Sequence, residues 1–104
     1  MFGDLFGNME EQQKALKQQL ETISVEAQAG DGAITITANA NRVITNIAID
    51  TEKLDMSDAE ELEDLLMVAV NRVLDEAAMK EAEASQKLIQ DMLPPGMGGL
   101  FGRG

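Results

Sequence analysis

The stretch ISVEAQAGDGAITITANANRVITNIAI, residues 23–49, decides how the rest of the chain has to be read. Its apolar residues recur with a period of two: Ile23, Val25 and Ala27 alternate with Ser24, Glu26 and Gln28 until Gly30-Asp31-Gly32 ends the run. A second run sets Ile34, Ile36 and Ala38 against Thr35 and Thr37 and stops at Asn39-Ala40-Asn41. A third alternates Val43, Thr45, Ile47 and Ile49 with Ile44, Asn46 and Ala48. Successive side chains of a strand point to opposite faces, and Gly, Asn and Asp tolerate the backbone angles of tight turns. The spacing predicts a three-stranded antiparallel meander with one face buried.

On the N-terminal side the period changes. From about Met9 to Ile23 the apolar residues Met9, Leu16, Leu20 and Ile23 are separated by Gln and charged residues, the pattern of an amphipathic helix. Its apolar stripe is narrow, because Gln12, Gln13, Gln18 and Gln19 stand where a free-standing globular helix is usually apolar, so it needs a partner. On the C-terminal side Ser57 and Glu60 have the spacing of a capping box, and Asp58, Glu60 and Glu61 put negative charge at the positive end of a helix dipole. No Gly or Pro interrupts the chain from there to Pro94-Pro95-Gly96. A helix of about 35 residues is about 50 Å long, more than short strands can cover, so part of it projects or meets another chain. The expected fold is α+β: an N-terminal helix, the meander and a long C-terminal helix, one α-β-β-β-α domain over residues 1–93. The Gly- and Pro-rich tail 94–104 is expected to be flexible.

Composition narrows the chemistry. Hydrophobic residues make up 44% of the 104, but the only aromatics are Phe2, Phe6 and Phe101, in glycine-containing ends that read as disordered. The core must be aliphatic and thin, which invites completion by a second subunit. Without cysteine there is no disulfide, thiolate nucleophile or zinc cluster, as suits a reducing cytoplasm. The start MFGDLFGN has no basic segment before an apolar run, and nothing approaches a membrane span, so a soluble, unexported protein with no membrane partner is expected.

With no His, Cys, Trp or Tyr either, no nucleophile stands beside a base. Glu60, Glu61, Glu63 and Asp64 lie at a helix start without a calcium-loop pattern and read as a solvated face. Gly30-Asp31-Gly32 falls between strands rather than before a helix and reads as a turn, not a phosphate loop. Neither enzyme activity, catalytic residue, metal nor cofactor is expected.

The net charge is −11, and two copies carry twice that, which opposes a partner coated in phosphates. Between Ser57 and Met92 ten Asp and Glu face three basic residues, Arg72, Lys80 and Lys87. The least repulsive region is Lys14-Ala15-Leu16-Lys17-Gln18-Gln19, where two lysines one turn apart are flanked by amides able to donate to phosphate oxygens. Arg42 is a second candidate, and Lys80 and Lys87, seven residues apart, share a helix face. Each has an ordinary alternative as a solvating charge or a helix pair, such as Glu10 with Lys14 or Glu76 with Lys80.

Specific strings carry a resemblance. Gly32 opening a strand with Ile34 and Ile36, then Ile47-Ala48-Ile49-Asp50 and Leu54, then Glu61-Leu62-Glu63-Asp64-Leu65-Leu66 running on to Ala69-Val70-Asn71, look like the signature of the YbaB/EbfC family. The resemblance covers nearly the whole chain, including the Gln-rich first helix and the Pro-Pro-Gly tail. It implies a homodimer with paired sheets and protruding helices resembling tweezers, which binds DNA and associates with the bacterial nucleoid in the cytoplasm. The DNA-contact candidates are then Lys14, Lys17, Gln18, Arg42, Arg72, Lys80 and Lys87. The expected activity is binding of duplex DNA with low sequence specificity. The second reading, which explains the charge better, is an acidic protein-interaction module that attracts basic proteins and docks through Leu5-Phe6-Gly7 and Leu100-Phe101-Gly102.

Overall fold

The computed structural model describes residues 2–92, and the tail and its Leu100-Phe101-Gly102 motif lie outside them. Its elements are α1 (Phe2–Glu21), β1 (Ser24–Ala29), β2 (Ile34–Asn39), β3 (Ile44–Ile49) and α2 (Ala59–Met92). The strands form one antiparallel sheet in the order β1-β2-β3, with Ala27 opposite Ile36 and Ile36 opposite Ile47.

The alternation read from the sequence produces the core. Val25, Ala27 and Ala29 of β1 and Ile34, Ile36 and Ala38 of β2 are buried beneath α2, which meets them through Ala69, Val73 and Ala77. These helix positions are four residues apart and so form one stripe. Their small side chains let the helix axis approach the sheet closely, while Leu62, Leu65, Leu66, Val70 and Leu74 flank the contact half-buried. No polar residue is buried among those described.

α2 covers β1 and β2 but not β3. Every residue of β3 is exposed, Ile47 by 49%, so the expectation of a sheet with one buried face fails for this strand. Its alternation also differs from the simple reading. The pairing shifts between Thr37 and Ala38, leaving Thr45 as the extra residue of a bulge, so Ile44 faces Ala38 and joins Ile47 and Ile49 on the α2 side. Thr45 uses the irregularity to donate its hydroxyl to the Thr37 carbonyl at 3.3 Å.

α1 begins earlier than the periodicity predicts, at Phe2 rather than near Met9. Gly3 and Gly7 cost a helix about 1 kcal/mol each relative to Ala, but unlike Pro they keep the hydrogen-bond ladder intact. Its other end is tied to the sheet: the Ala40 N–H donates to the Leu20 carbonyl at 3.1 Å and the Ile23 carbonyl at 3.0 Å, and the Asn41 side-chain amide caps the Lys17 carbonyl at 2.9 Å.

α2 is capped one residue later than expected. Asp58, not Ser57, accepts the Glu61 N–H at 3.1 Å. Ser57 is held in the preceding turn by Asp55, to which both its hydroxyl and its N–H donate. Asp58 and Glu61 have the same three-residue spacing as Ser57 and Glu60, and the ionised carboxylate is the stronger acceptor.

α1 enters the sheet, and α2 leaves it, past the end that carries the start of β1 and the β2–β3 turn. The chain is accordingly elongated, 63 × 32 × 18 Å with a radius of gyration of 19.1 Å, against about 13 Å for a compact chain of about 100 residues.

Candidate nucleic-acid interface

The cations of α2 are few but sorted. Arg72, Lys80 and Lys87 fall within about 80° of one another around an α-helix of 3.6 residues per turn. Their surroundings identify the flank they occupy. Arg72 donates from Nη1 to the Gln28 carbonyl of β1 at 2.9 Å. Lys80 and Lys87 line a groove with Gln19 and Ile23 at the end of α1 and Ser24 at the start of β1. Arg72 thus lies against β1, while Lys80 and Lys87 lie where α2 passes the start of β1 and the end of α1, in a groove whose amide and hydroxyl can donate to an anion and which Glu83 also lines.

The carboxylates of α2 are spread more widely. Glu60, Asp64 and Asp75 fall on the face turned away from the sheet, by the same helical period. Glu83 lies on the cationic flank and approaches Lys80 at 3.5 Å, in place of the Glu76–Lys80 pair the spacing suggested. Glu81 points to the opposite flank, toward β3, and meets Arg42 at 3.6 Å. Exposed pairs of this kind contribute at most about 1 kcal/mol and are readily exchanged for another anion.

The sequence candidates therefore separate. Lys80 and Lys87 come together beside the end of α1. Lys14 and Lys17 line a different groove with Glu10 and Gln13, and Gln18 is exposed on α1 but borders neither groove. Arg42 sits at φ 64° in a β2–β3 turn held by the Asn39 side chain, which accepts the Asn41 N–H at 2.9 Å and the Val43 N–H at 3.3 Å. Arg72 lies toward the other end of β1. Lys53, which sequence reasoning passed over, joins it there: its Nζ is 3.2 Å from the Asp31 carbonyl. Nothing in the periodicity marks Lys53, because it follows β3 in an irregular segment and only the fold brings it back to the β1–β2 turn.

On the opposite side of the chain the surface is apolar. Ile44, Ile47 and Ile49 run beside the half-buried flank of α2 formed by Leu66, Val70 and Leu74, and Val43, just before β3, is exposed as well. Among the described residues no three acidic side chains gather to hold a metal ion, and no helix is long and apolar enough to cross a membrane.

Comparison with known proteins gives this arrangement a context. The YbaB/EbfC DNA-binding family matches residues 2–92. A nucleoid-associated protein of Flavobacterium johnsoniae is 36% identical over 102 residues, 93% of this chain and 94% of that one. A nucleoid-associated protein of Chloroflexus aurantiacus is 37% identical over 94 residues, covering 90% of this chain and 86% of the relative. The crystal structure of an uncharacterized protein from Helicobacter pylori has the same fold, with a TM-score of 0.72 at 17% identity over 85% of this chain and 92% of that one. With a family match spanning both helices and the whole sheet, and relatives above 30% identity along almost their full length, the chain belongs to the YbaB/EbfC DNA-binding family.

Proposed function

We propose that the chain acts as a homodimer that binds duplex DNA with little sequence preference, and that it does so at the nucleoid, within the cytoplasm. The observation that carries this reading is the placement of Arg72, Lys80 and Lys87 on one flank of α2, against β1 and the end of α1, with the apolar strip on the other side at β3. The two surfaces suit two different partners. An exposed strand edge carrying Ile44, Ile47 and Ile49 is an invitation to pair with a second copy. Two copies meeting through β3 leave both β1 edges outermost and double the cationic row.

The net charge of −11 does not prevent contact on that flank. At about 0.1 M salt the screening length is about 10 Å, so carboxylates farther away than that are largely hidden from a phosphate held against Lys80 and Lys87, while Glu83, 3.5 Å from Lys80, has to be displaced by it. Ammonium groups act as point charges that fix position on the backbone without reading bases, which accounts for low sequence preference. The activity is binding, with no reaction catalysed and no cofactor or metal needed. Membership of a DNA-binding family favours DNA over basic proteins as the main partner.

The test is fluorescence anisotropy with a labelled duplex of about two helical turns, titrated from 25 to 200 mM salt (roughly the range over which salt displaces a protein from phosphates). The wild-type chain should bind at low salt, with log affinity falling linearly against log salt. Lys80→Gln with Lys87→Gln should weaken binding and flatten the slope by about 0.9 for each phosphate no longer neutralised. No binding at low salt, or binding indifferent to salt, would overturn the reading.

A further inference from the structure

The β1–β2 turn has features beyond those needed to reverse the chain. Gly30, Asp31 and Gly32 stand in succession at positive φ, 67°, 54° and 85°, a run only Gly and, less readily, Asp or Asn accommodate. Two cations close on this turn from distant parts of the chain. Arg72 arrives from α2 and donates Nη1 to the Gln28 carbonyl, and Lys53 arrives from the segment after β3 and donates to the Asp31 carbonyl. A β-carbon at Gly32 would stand 3.3 Å from Lys53 Nζ and 3.8 Å from Gln28 Oε1, so the missing side chain leaves room for both. The cleft that results is lined by Gln28 to Gly32 and by Arg72.

Both cations retain unused donors. A guanidinium has five N–H groups and an ammonium three, and the hydrogen bonds above use one of each. Neither is in an ion pair with a described carboxylate, whereas Arg42 and Lys80 are. The negative side chain lining the cleft is that of Asp31, whose carboxylate forms no hydrogen bond with either cation. Within the lining the Arg72 charge is matched by that of Asp31, and Lys53, which borders the turn beside Gly32 rather than lining the cleft, adds the second positive charge.

We propose that Arg72, Lys53 and the Gly30–Gly32 turn form a phosphodiester-binding site. It is a second anchor for DNA at the end of β1 remote from Lys80 and Lys87. The proposal rests on the DNA reading above and deepens it by fixing the direction of the duplex. Arg72 and Lys87 are fifteen residues apart on one helix, a rise of about 22 Å. A duplex lying along the β1 edge would span that distance with about six or seven base pairs, at 3.4 Å per phosphate along a strand. The bound anion replaces no internal ion pair here, whereas Lys80 must first release Glu83.

The site is tested with the full chain and the same duplex, reading the salt slope of wild type, Arg72→Gln with Lys53→Gln, and Asp31→Asn. The double variant is expected to bind at least tenfold more weakly at low salt and to flatten the slope by one to two units, about 0.9 for each phosphate. Asp31→Asn removes the local negative charge and keeps a side chain that tolerates positive φ, so it should fold normally and bind at least twofold more tightly. Because Arg72 and Lys53 also brace the turn, Arg72→Lys with native Lys53 is included: it keeps the charge and should keep most of the slope. Inorganic phosphate at matched ionic strength should leave the Gly30 and Gly32 amide resonances unmoved, since a single phosphate makes no second contact along the flank.

Wild-type binding with an unchanged slope in the double variant and unchanged affinity in Asp31→Asn would overturn the site while leaving the DNA reading intact. Failure of the wild type to bind any duplex would remove both. Movement of the two glycine amides by inorganic phosphate as large as that caused by the duplex would reassign the site to small phosphates and overturn the DNA anchor.

Discussion

Ile44 stands opposite Ala38 in the sheet, on the face it shares with Ile47 and Ile49, because Thr45 takes up the extra place of a bulge. Simple alternation would put Ile44 on the polar face beside Asn46. The bulge instead gathers three isoleucines into one strip beside Leu66, Val70 and Leu74, and α2 stops short of covering it.

That strip makes the first prediction. Ile47 is exposed in the single chain, so Ile47→Lys should change the stability of one subunit by no more than about 0.5 kcal/mol. It should nevertheless convert a dimer to single chains, read by sedimentation velocity at micromolar concentration. Glu26→Lys on the polar face serves as the control. Equal dimerisation of both variants would move the subunit contact elsewhere.

Helix capping makes the second. Asp58→Ala removes the acceptor for the Glu61 N–H and should destabilise the chain by about 1 kcal/mol in urea unfolding. Ser57→Ala leaves that bond in place and should cost less. The reverse order would restore Ser57 as the capping residue.

The two turn glycines should not respond alike to alanine. Both sit at positive φ, which costs an L side chain about 1–2 kcal/mol. At Gly30 the new β-carbon would also lie 3.0 Å from Leu65 Cδ1 and 3.3 Å from Ala33 Cβ, whereas at Gly32 it meets the flexible end of Lys53 at 3.3 Å. Gly30→Ala should therefore lower the thermal midpoint further than Gly32→Ala.

Asp55 supplies a prediction in pH. The Ser57 hydroxyl first, and the Ser57 N–H second, hold its carboxyl below the ordinary value of 3.8. A carboxylate with a depressed folded pKa stabilises the native state above its unfolded value, and that contribution disappears as pH falls through the folded value. Carboxyl carbon NMR should find Asp55 titrating below the unfolded reference, and Ser57→Ala should bring it back upward. A titration unmoved by Ser57→Ala would remove the hydroxyl as the cause.

How much of this could be read from the string differs from element to element. Val25, Ala27, Ala29, Ile34 and Ile36 alternate without exception, and their period alone assigns two strands and the face that is buried. In β3 the same rule misplaces Ile44, since a bulge depends on pairing with β2 rather than on local pattern. Lys80 and Lys87 are recognisable as neighbours on one helix face, but their meeting with Gln19 and Ser24 depends on how α2 crosses the sheet. Lys53 carries no local signal at all.

The sequence by itself determined the order of elements, the aliphatic core and the family, because strand and helix periods, turn residues and caps act over a few residues along the chain. Only the tertiary structure decided that α2 lies over β1 and β2 and leaves β3 bare, and that Arg72 and Lys53 close on one turn. Those outcomes depend on distances between residues far apart in the chain, 44 positions for Arg72 and Gln28 and 22 for Lys53 and Asp31, which no local pattern encodes.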